Sequence, residues 1–473
     1  MTRYGCYSAP HASSMPAAAI IMTALMTAQI AAPSFGRVPL ISKKRPVQMA
    51  RTALSRDPIL RQWVIRDWRP AARLDTQTQP LPTIGAGAQA VRCYQIRFTS
   101  IAWQGKAVRI FGFYGYPVRA SGRLPGLLLV HGGGGYATLN RVIEGAHHGF
   151  ATLSIDLPGK GPHRSISRST GPDMTVPQIF DVQPDLESSY IFQAVIAQMR
   201  AISFLCSRPE VDPDRIGLAG VSWGGATGLL TTSLDHRVRC FVDIFGGGYL
   251  SEGSAWMKYF RRLPPGQLAL WEANYDASEY LSGIHVPVLG ETGTDDRCYW
   301  LPEFMKTMDA IHPRPDLILL PNLDHRLNPA GHQAFYRWLE LHLDRRAAVH
   351  AGLEGFTIRR ASDGLEIRVK AGGSVAVRSV RVGYFAVGPG AAADAYSGRI
   401  WQVASCQKGA TPGWWGAVIP DGSPLIQLFA TVTFADGLML STPIHTAFSR
   451  ETPHGPIAID IPSLCARLPS DRS

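Results

Sequence analysis

Six short, unbroken apolar runs constrain what the middle of this chain can become. They are LPGLLLVHG (124–132), FATLSIDLPG (150–159), RIGLAGVS (215–222), VRCFVDIFGG (238–247), VPVLGETG (286–293) and DLILLPN (316–322). A strand that is apolar on both sides must be covered on both faces, the condition of a central strand in a parallel sheet. Helical stretches separate the runs. In ESSYIFQAVIAQMRAISFLC (187–206), Phe192, Val195, Ile196, Met199 and Ile202 recur at three- and four-residue spacing, which predicts a helix with one apolar face. Pro209 and Pro213 then break the helix before the next strand. GHQAFYRWLELHLDR (331–345) predicts the last helix. Upstream, CYQIRFTSIAW (93–103) and AVRIFGFYGYPV (107–118) alternate apolar with polar residues, as half-buried antiparallel strands do. An antiparallel pair followed by repeated strand–helix units predicts the α/β class, with a mostly parallel eight-stranded sheet and flanking helices.

Past residue 350 the pattern changes to short alternating strands and turns, such as LEIRVKAGG and LIQLFATVTFADGLMLSTP, without helical periods. This predicts a C-terminal β-sandwich over 349–473, after an α/β domain over 92–348. Two polar or aromatic excursions interrupt the α/β region, 160–185 and 247–285. The second holds Trp256, Tyr259 and Trp271 and has the length of a small cap.

The N-terminal part is different again. Residues 17–32, AAAIIMTALMTAQIAA, are apolar, uncharged and too short for a comfortable membrane span. They predict a signal peptide over 1–32, export to the periplasm or the exterior, and no stable membrane insertion after its removal. A basic segment, 33–91, follows. Ten of its residues within 37–73 are Lys or Arg, against Asp57 and Asp67, and they carry much of the net charge of +11. No nucleic-acid-binding motif accompanies that charge, so no nucleic-acid partner is expected. The seven cysteines form no C-x-x-C pair, which leaves a zinc ribbon or a thioredoxin-like motif without support. A disulfide remains open.

The chemistry gathers at the ends of the apolar runs. Gly220-Val221-Ser222-Trp223-Gly224 is a G-x-S-x-G sequence that ends one run and opens a helix over 224–233. A strand-to-helix turn of that tightness exposes the serine and leaves no room for side chains two residues to either side. A serine hydroxyl needs a base, and the base needs an acid to fix its tautomer. Later runs end in Gly293-Thr294-Asp295-Asp296 and Pro321-Asn322-Leu323-Asp324-His325. His325 is the candidate base. Asp296 is the candidate acid, with Asp295 second. Asp324, the chain neighbour of His325, and His332, already on the last helix, are the poorer candidates. An oxyanion would need two backbone N–H donors. Trp223 supplies one. Gly133 or Gly134, in His131-Gly132-Gly133-Gly134-Gly135-Tyr136, supplies the other, and His131 braces that loop. Tyr136, Trp300 and other aromatics near these loops are candidates to line a substrate pocket.

With these residues in place, 124–345 resembles the α/β-hydrolase superfamily. SRPEVDPDRIGLAGVSWGG (207–225) is similar to the matching segment of acetyl xylan esterases, dienelactone-hydrolase-like proteins and prolyl-oligopeptidase-type peptidases. SIDLPGKG (154–161) leans towards the first of these. The resemblance implies a Ser222–Asp296–His325 triad, ester hydrolysis through an acyl-enzyme on a small-molecule or carbohydrate ester, and neither metal nor organic cofactor. Trp223 stands where acetyl xylan esterases usually carry Gln, and LPGKG where they are RGQG-like. Two competing readings are a peptidase and a non-catalytic carbohydrate-binding or scaffold protein. The first is weakened because 33–92 is too short for an N-terminal propeller. Trp414 and Trp415 exposed on one face would favour the second.

Overall fold

The computed structural model describes residues 74–160, 167–343, 351–387, 399–420, 425–448 and 457–459. They belong to one compact unit spanning 53–473. The predicted signal peptide, most of the basic segment, Cys6 and Cys465 lie outside the described residues.

The sheet begins with β1 (Gln77–Pro80), β2 (Val91–Trp103) and β3 (Lys106–Pro117), and continues with β4 (Leu124–Val130), β5 (Ala151–Ile155) and β6 (Val211–Val221). Then come β7 (Val238–Ile244), β8 (Val288–Gly293) and β9 (Asp316–Leu320). Their spatial order is β1-β2-β3-β5-β4-β6-β7-β8-β9. The pairs among β5, β4, β6, β7, β8 and β9 are parallel, and β2–β3 and β3–β5 are antiparallel. Eight strands in this order, with one crossed connection at β4/β5, form the α/β-hydrolase sheet. β1 is an extra strand inside the segment read as a basic arm. Its residues QTQP are all exposed, so no apolar alternation announced it.

The helices are α1 (Leu139–His147), α2 (Val176–Phe180), α3 (Tyr190–Cys206), α4 (Trp223–Leu234), α5 (Met257–Phe260), α6 (Pro265–Tyr275), α7 (Leu301–Asp309) and α8 (Pro329–Leu343). The apolar runs serve both sheet faces, as the absence of polar alternation required. Leu128, Val130 and Leu218 pack towards α3 and α4, whereas Leu127, Leu129, Ala219 and Val242 pack towards α8.

Two expectations need correction. First, α3 is buried on all sides rather than on one face, with every residue from Tyr190 to Leu205 inaccessible. The two excursions close over it. Trp271 Nε1 donates to the Ile179 carbonyl at 2.9 Å and the Tyr275 hydroxyl to the Leu186 carbonyl at 2.6 Å. The 247–285 excursion is thus a cap tied to the 160–185 insertion. Second, Pro213 lies within β6, at a register irregularity opposite Pro125/Gly126, and not in a helix-breaking linker.

The C-terminal strands form the expected antiparallel β layers, and one of these layers is also joined edge to edge to the α/β sheet. They are β10 (Ala351–Ala361), β11 (Gly364–Gly373), β12 (Val377–Val387), β13 (Gln402–Ser405), β14 (Gln407–Lys408), β15 (Trp414–Ile419), β16 (Leu425–Phe434), β17 (Met439–Ser441), β18 (His445–Phe448) and β19 (Ile457–Ile459). They form two layers over a shared core that includes Phe356, Ile367, Val382 and Leu428. One layer, β14-β15-β11-β10-β19, stands alone. The other, β17-β16-β12-β13, is joined to the main sheet through β17 and β9, at Ser441 and Leu317. Trp414 and Trp415 are adjacent on one strand, so they point to opposite faces. Trp415 packs on the core, while the Arg368 guanidinium lies 5.0 Å from the Trp414 ring centre. A shared aromatic platform is therefore excluded.

Candidate active site

Ser222 sits at the turn between β6 and α4 with φ 57° and ψ −120°. A non-glycine residue at positive φ is strained and persists only where its surroundings fix it. Its N–H donates to the Ile244 carbonyl at 2.8 Å, and its carbonyl accepts from Ala226 N–H at 3.0 Å. The two flanking glycines are obligatory. A Cβ on Gly220 would lie 2.1 Å from the Gly224 carbonyl oxygen. One on Gly224 would lie 2.6 Å from both the His131 and Val130 carbonyls. Both clashes are with backbone. Gly220→Ala is therefore expected to cost about 3 kcal/mol or more of stability, as a lowered midpoint in urea unfolding.

The loop after β8 carries the candidate acid. Asp296 Oδ1 accepts from Cys298 N–H at 2.8 Å and Tyr299 N–H at 2.9 Å, which fixes the carboxylate. Its Oδ2 accepts from His325 Nδ1 at 2.7 Å. On the other side of the imidazole, the Ser222 hydroxyl donates to His325 Nε2 at 2.9 Å. A carboxylate can only accept, so Nδ1 bears the proton and Nε2 presents a lone pair to Ser222. Asp296 is fully buried and the His325 side chain is 21% exposed. The Phe245 ring meets the His325 imidazole edge-on at 4.4 Å, and the Tyr299 ring stacks near it at 6.0 Å.

The structure thus brings Ser222, His325 and Asp296 into one hydrogen-bonded chain. It directs the alternative acid elsewhere, since Asp295 pairs with Arg297 at 3.4 Å. Asp324 accepts from the backbone N–H of His325 at 2.7 Å. His332 is on α8 and pairs with Glu144 at 2.8 Å. The acid and histidine loops touch so closely that a Cβ on Gly293 would lie 2.1 Å from the Leu323 carbonyl oxygen.

The glycine loop also abuts Ser222. Gly135 N–H donates to the Gly132 carbonyl at 3.0 Å, and Gly134 has φ 77°, so Gly133 and Gly134 are the centre of a tight turn. Gly132 comes nearest the serine, where a Cβ would lie 2.8 Å from Ser222 Cβ. A Cβ on Gly133 would lie 3.2 Å from the Trp223 ring. Four identical glycines gave the sequence no means of singling out Gly132. His131 is the brace. Its Nε2 accepts from Leu157 N–H at 2.9 Å and its Nδ1 donates to the Gly132 carbonyl at 2.7 Å. Burial lowers its pKa, which keeps it neutral in this tautomer.

Trp223, the first residue of α4, is 5% exposed. Its ring packs against Trp256 at 4.8 Å, Tyr299 at 6.1 Å and Phe180 at 6.2 Å, joining the elbow to the cap. Tyr136 lines a separate surface cavity of about 260 Å³ with Phe111, Phe113, Asp156 and Arg168. Trp300 precedes α7 and donates its indole N–H to the Arg297 carbonyl at 3.3 Å. The sequence reading missed Phe245 and Asn322. Asn322 holds φ 58° at the start of the histidine loop. Its side-chain amide forms reciprocal bonds with the Trp401 backbone, at 2.8 and 2.7 Å. An asparagine at a strand end is a signal for such a turn.

Fold and site together define an α/β-hydrolase with a Ser–His–Asp chain at its elbow. Residues 69–252 match the family model described as acetyl xylan esterase (AXE1), and the chain resembles those enzymes. It is 27% identical over 203 residues to acetyl esterase Axe7A of Xylanibacter ruminicola, covering 40% of this chain and 46% of that protein. It is 28% identical over 151 residues to the hydrolase YtaP of Bacillus subtilis, covering 27% and 45%. The chain spans less than half the length of these curated relatives. An acetyl xylan esterase from Paenibacillus sp. R4 shares 21% identity at TM-score 0.49, over 64% of this chain and 97% of its own. One from Thermoanaerobacterium sp. JW/SL YS485 gives the same two values over 63% and 100%.

Proposed function

We propose that this protein is a serine hydrolase that cleaves carboxylic esters through an acyl-enzyme and removes acetyl groups from a carbohydrate. The hydrogen-bonded chain Ser222–His325–Asp296 at a strained elbow carries the reading. His325 Nε2 takes the hydroxyl proton as Ser222 attacks the ester carbonyl. The alcohol leaves with that proton, and water then enters by the same route to release the acid. Asp296 stabilises the imidazolium and holds its tautomer. The Trp223 N–H, at the positive end of α4, and an N–H of the Gly132–Gly134 turn stabilise the oxyanion. The apolar run at 17–32 supports export. Among the described residues no helix is long and apolar enough to cross a membrane.

The aromatic wall suggests a short acyl group. Trp223, Trp256 and Tyr299 pack on one another next to the elbow, and such a wall favours acetyl over longer chains. The test is hydrolysis of p-nitrophenyl acetate, butyrate and octanoate, with a fluorophosphonate probe to mark the reactive serine. Labelling of Ser222 with hydrolysis of acetate supports the reading. Hydrolysis of no ester and no labelling would overturn it. Trimming the wall by Trp256→Ala should raise kcat/KM for octanoate relative to acetate by about tenfold. An unchanged ratio would remove Trp256 from the acyl pocket.

A further inference from the structure

The loop that carries Asp296 brings a third ligand type to the same spot. One ligand atom each from Asp296, Cys298 and His325 lie within 4.8 Å of one another. Asp296 and Cys298 are buried, and His325 is partly open to solvent. Thiolate, imidazole and carboxylate are the donors that a thiophilic divalent cation selects, with bonds of about 2.3 Å to sulfur and 2.0–2.2 Å to nitrogen and oxygen. The geometry points to a binding site for such a cation, Zn²⁺ or Cd²⁺, formed by Cys298, His325 and Asp296.

Several features shape the site. The Asp296–His325 pair is 2.7 Å apart, so the cation must part them slightly to sit between ligands. Asp296 is held by two backbone N–H groups and stays put, which leaves the imidazole to move. Entry is from the His325 side, since that side chain alone of the Asp296–His325 pair reaches solvent. The nearby Arg297 would repel a cation, but its charge is offset by Asp295 at 3.4 Å and Asp324 at 3.9 Å. Binding is balanced by release of the Cys298 thiol proton to water, while Asp296 is already a carboxylate and His325 contributes a neutral lone pair.

The consequence for activity rests on the function proposed above. If the cation takes Nε2, the lone pair facing Ser222 is gone. If it takes Nδ1, the proton must reside on Nε2 and the tautomer is inverted. Either way His325 cannot accept the serine proton.

The test uses the whole protein. Cd²⁺ is titrated while the ultraviolet absorbance of a cadmium–thiolate bond is followed, a readout independent of any activity. Hydrolysis of p-nitrophenyl acetate is measured in parallel with Zn²⁺, then after EDTA. Cys298→Ser and Cys298→Ala are each scored against their own untreated rate. One Cd²⁺ per chain in the parent, and binding weakened by about 100-fold or more in both variants, would support the site. EDTA-reversible inhibition of the parent but not of the variants would support its consequence. Absence of the thiolate band, or a band unchanged in the variants, would overturn the site. Binding without inhibition would overturn the link to His325. A parent that hydrolyses no ester would count against the proposed function, while the cadmium titration would still decide the site.

Discussion

Replacing Ser222 by alanine is expected to lower kcat for p-nitrophenyl acetate by about four to six orders of magnitude, with little change in KM. Under the proposed function the loss is that large because Ser222, His325 and Asp296 act as one unit. Once the nucleophile is gone, the base has nothing to activate. Asp296→Asn should cost somewhat less. An amide can donate to Nδ1, which would place the imidazole proton on Nε2, facing the serine. Asp295→Asn is the informative comparison, because Asp295 is turned to Arg297 rather than to the imidazole. It should retain activity near the parent level. If Asp295→Asn were as damaging as Asp296→Asn, the assignment of the acid would be wrong. If Ser222→Ala kept a substantial rate, the nucleophile would be wrong. Steady-state kinetics and circular dichroism on the three variants separate lost chemistry from lost fold.

The second large effect concerns stability against pH. Asp243, at the end of β7, and Glu291, in β8, are buried carboxyls on adjacent strands, and neither is paired with a cation in the described structure. Asp243 Oδ1 accepts from Gly246 N–H at 2.9 Å, which favours the charged form, but burial dominates and pushes its pKa up to about 8. Burial alone pushes Glu291 up to about 8. The sign follows from proton counting. Between the unfolded values near 4 and the folded values near 8, the folded state holds more protons than the unfolded chain. Each group's contribution is therefore fully present below about pH 4 and is lost as pH rises to about 8. The total is on the order of 5 kcal/mol per group. Urea unfolding at several pH values should show Asp243→Asn and Glu291→Gln gaining on the parent as pH rises from about 5 to 9. A constant difference would mean that these carboxyls do not titrate in that window.

The sequence was most informative where chemistry is tied to backbone geometry over a few residues. The elbow is one case. Gly220, Ser222 and Gly224 meet requirements that hold within a single turn, and the clashes a Cβ would cause are with backbone four or five residues on or at the end of the neighbouring strand. Asp296 and His325 were legible because they close apolar runs that could only be central strands. What stayed hidden depends on partners far along the chain. The burial of α3 is set by residues such as Trp271 and Tyr275, whose effect cannot be seen in the helix itself. The nearness of Cys298 to His325 requires two loops from neighbouring strands. The joining of the C-terminal layer to β9 rests on a three-residue strand, β17, too short to carry a pattern.

That joining bears on how the chain could be re-engineered. If the C-terminal strands were exchanged for another module, β9 would lose its outer neighbour β17. The Ser441 hydroxyl, which accepts from Leu319 N–H at 3.0 Å, would be lost as well. β9 feeds directly into the loop that carries His325, and that loop is clasped by the Asn322–Trp401 pair. A chimera that swapped residues past 350 would bare a sheet edge prone to pairing with other chains. It would also unfasten His325 from its place beside Ser222. The two parts of the molecule are best inherited, expressed and altered together.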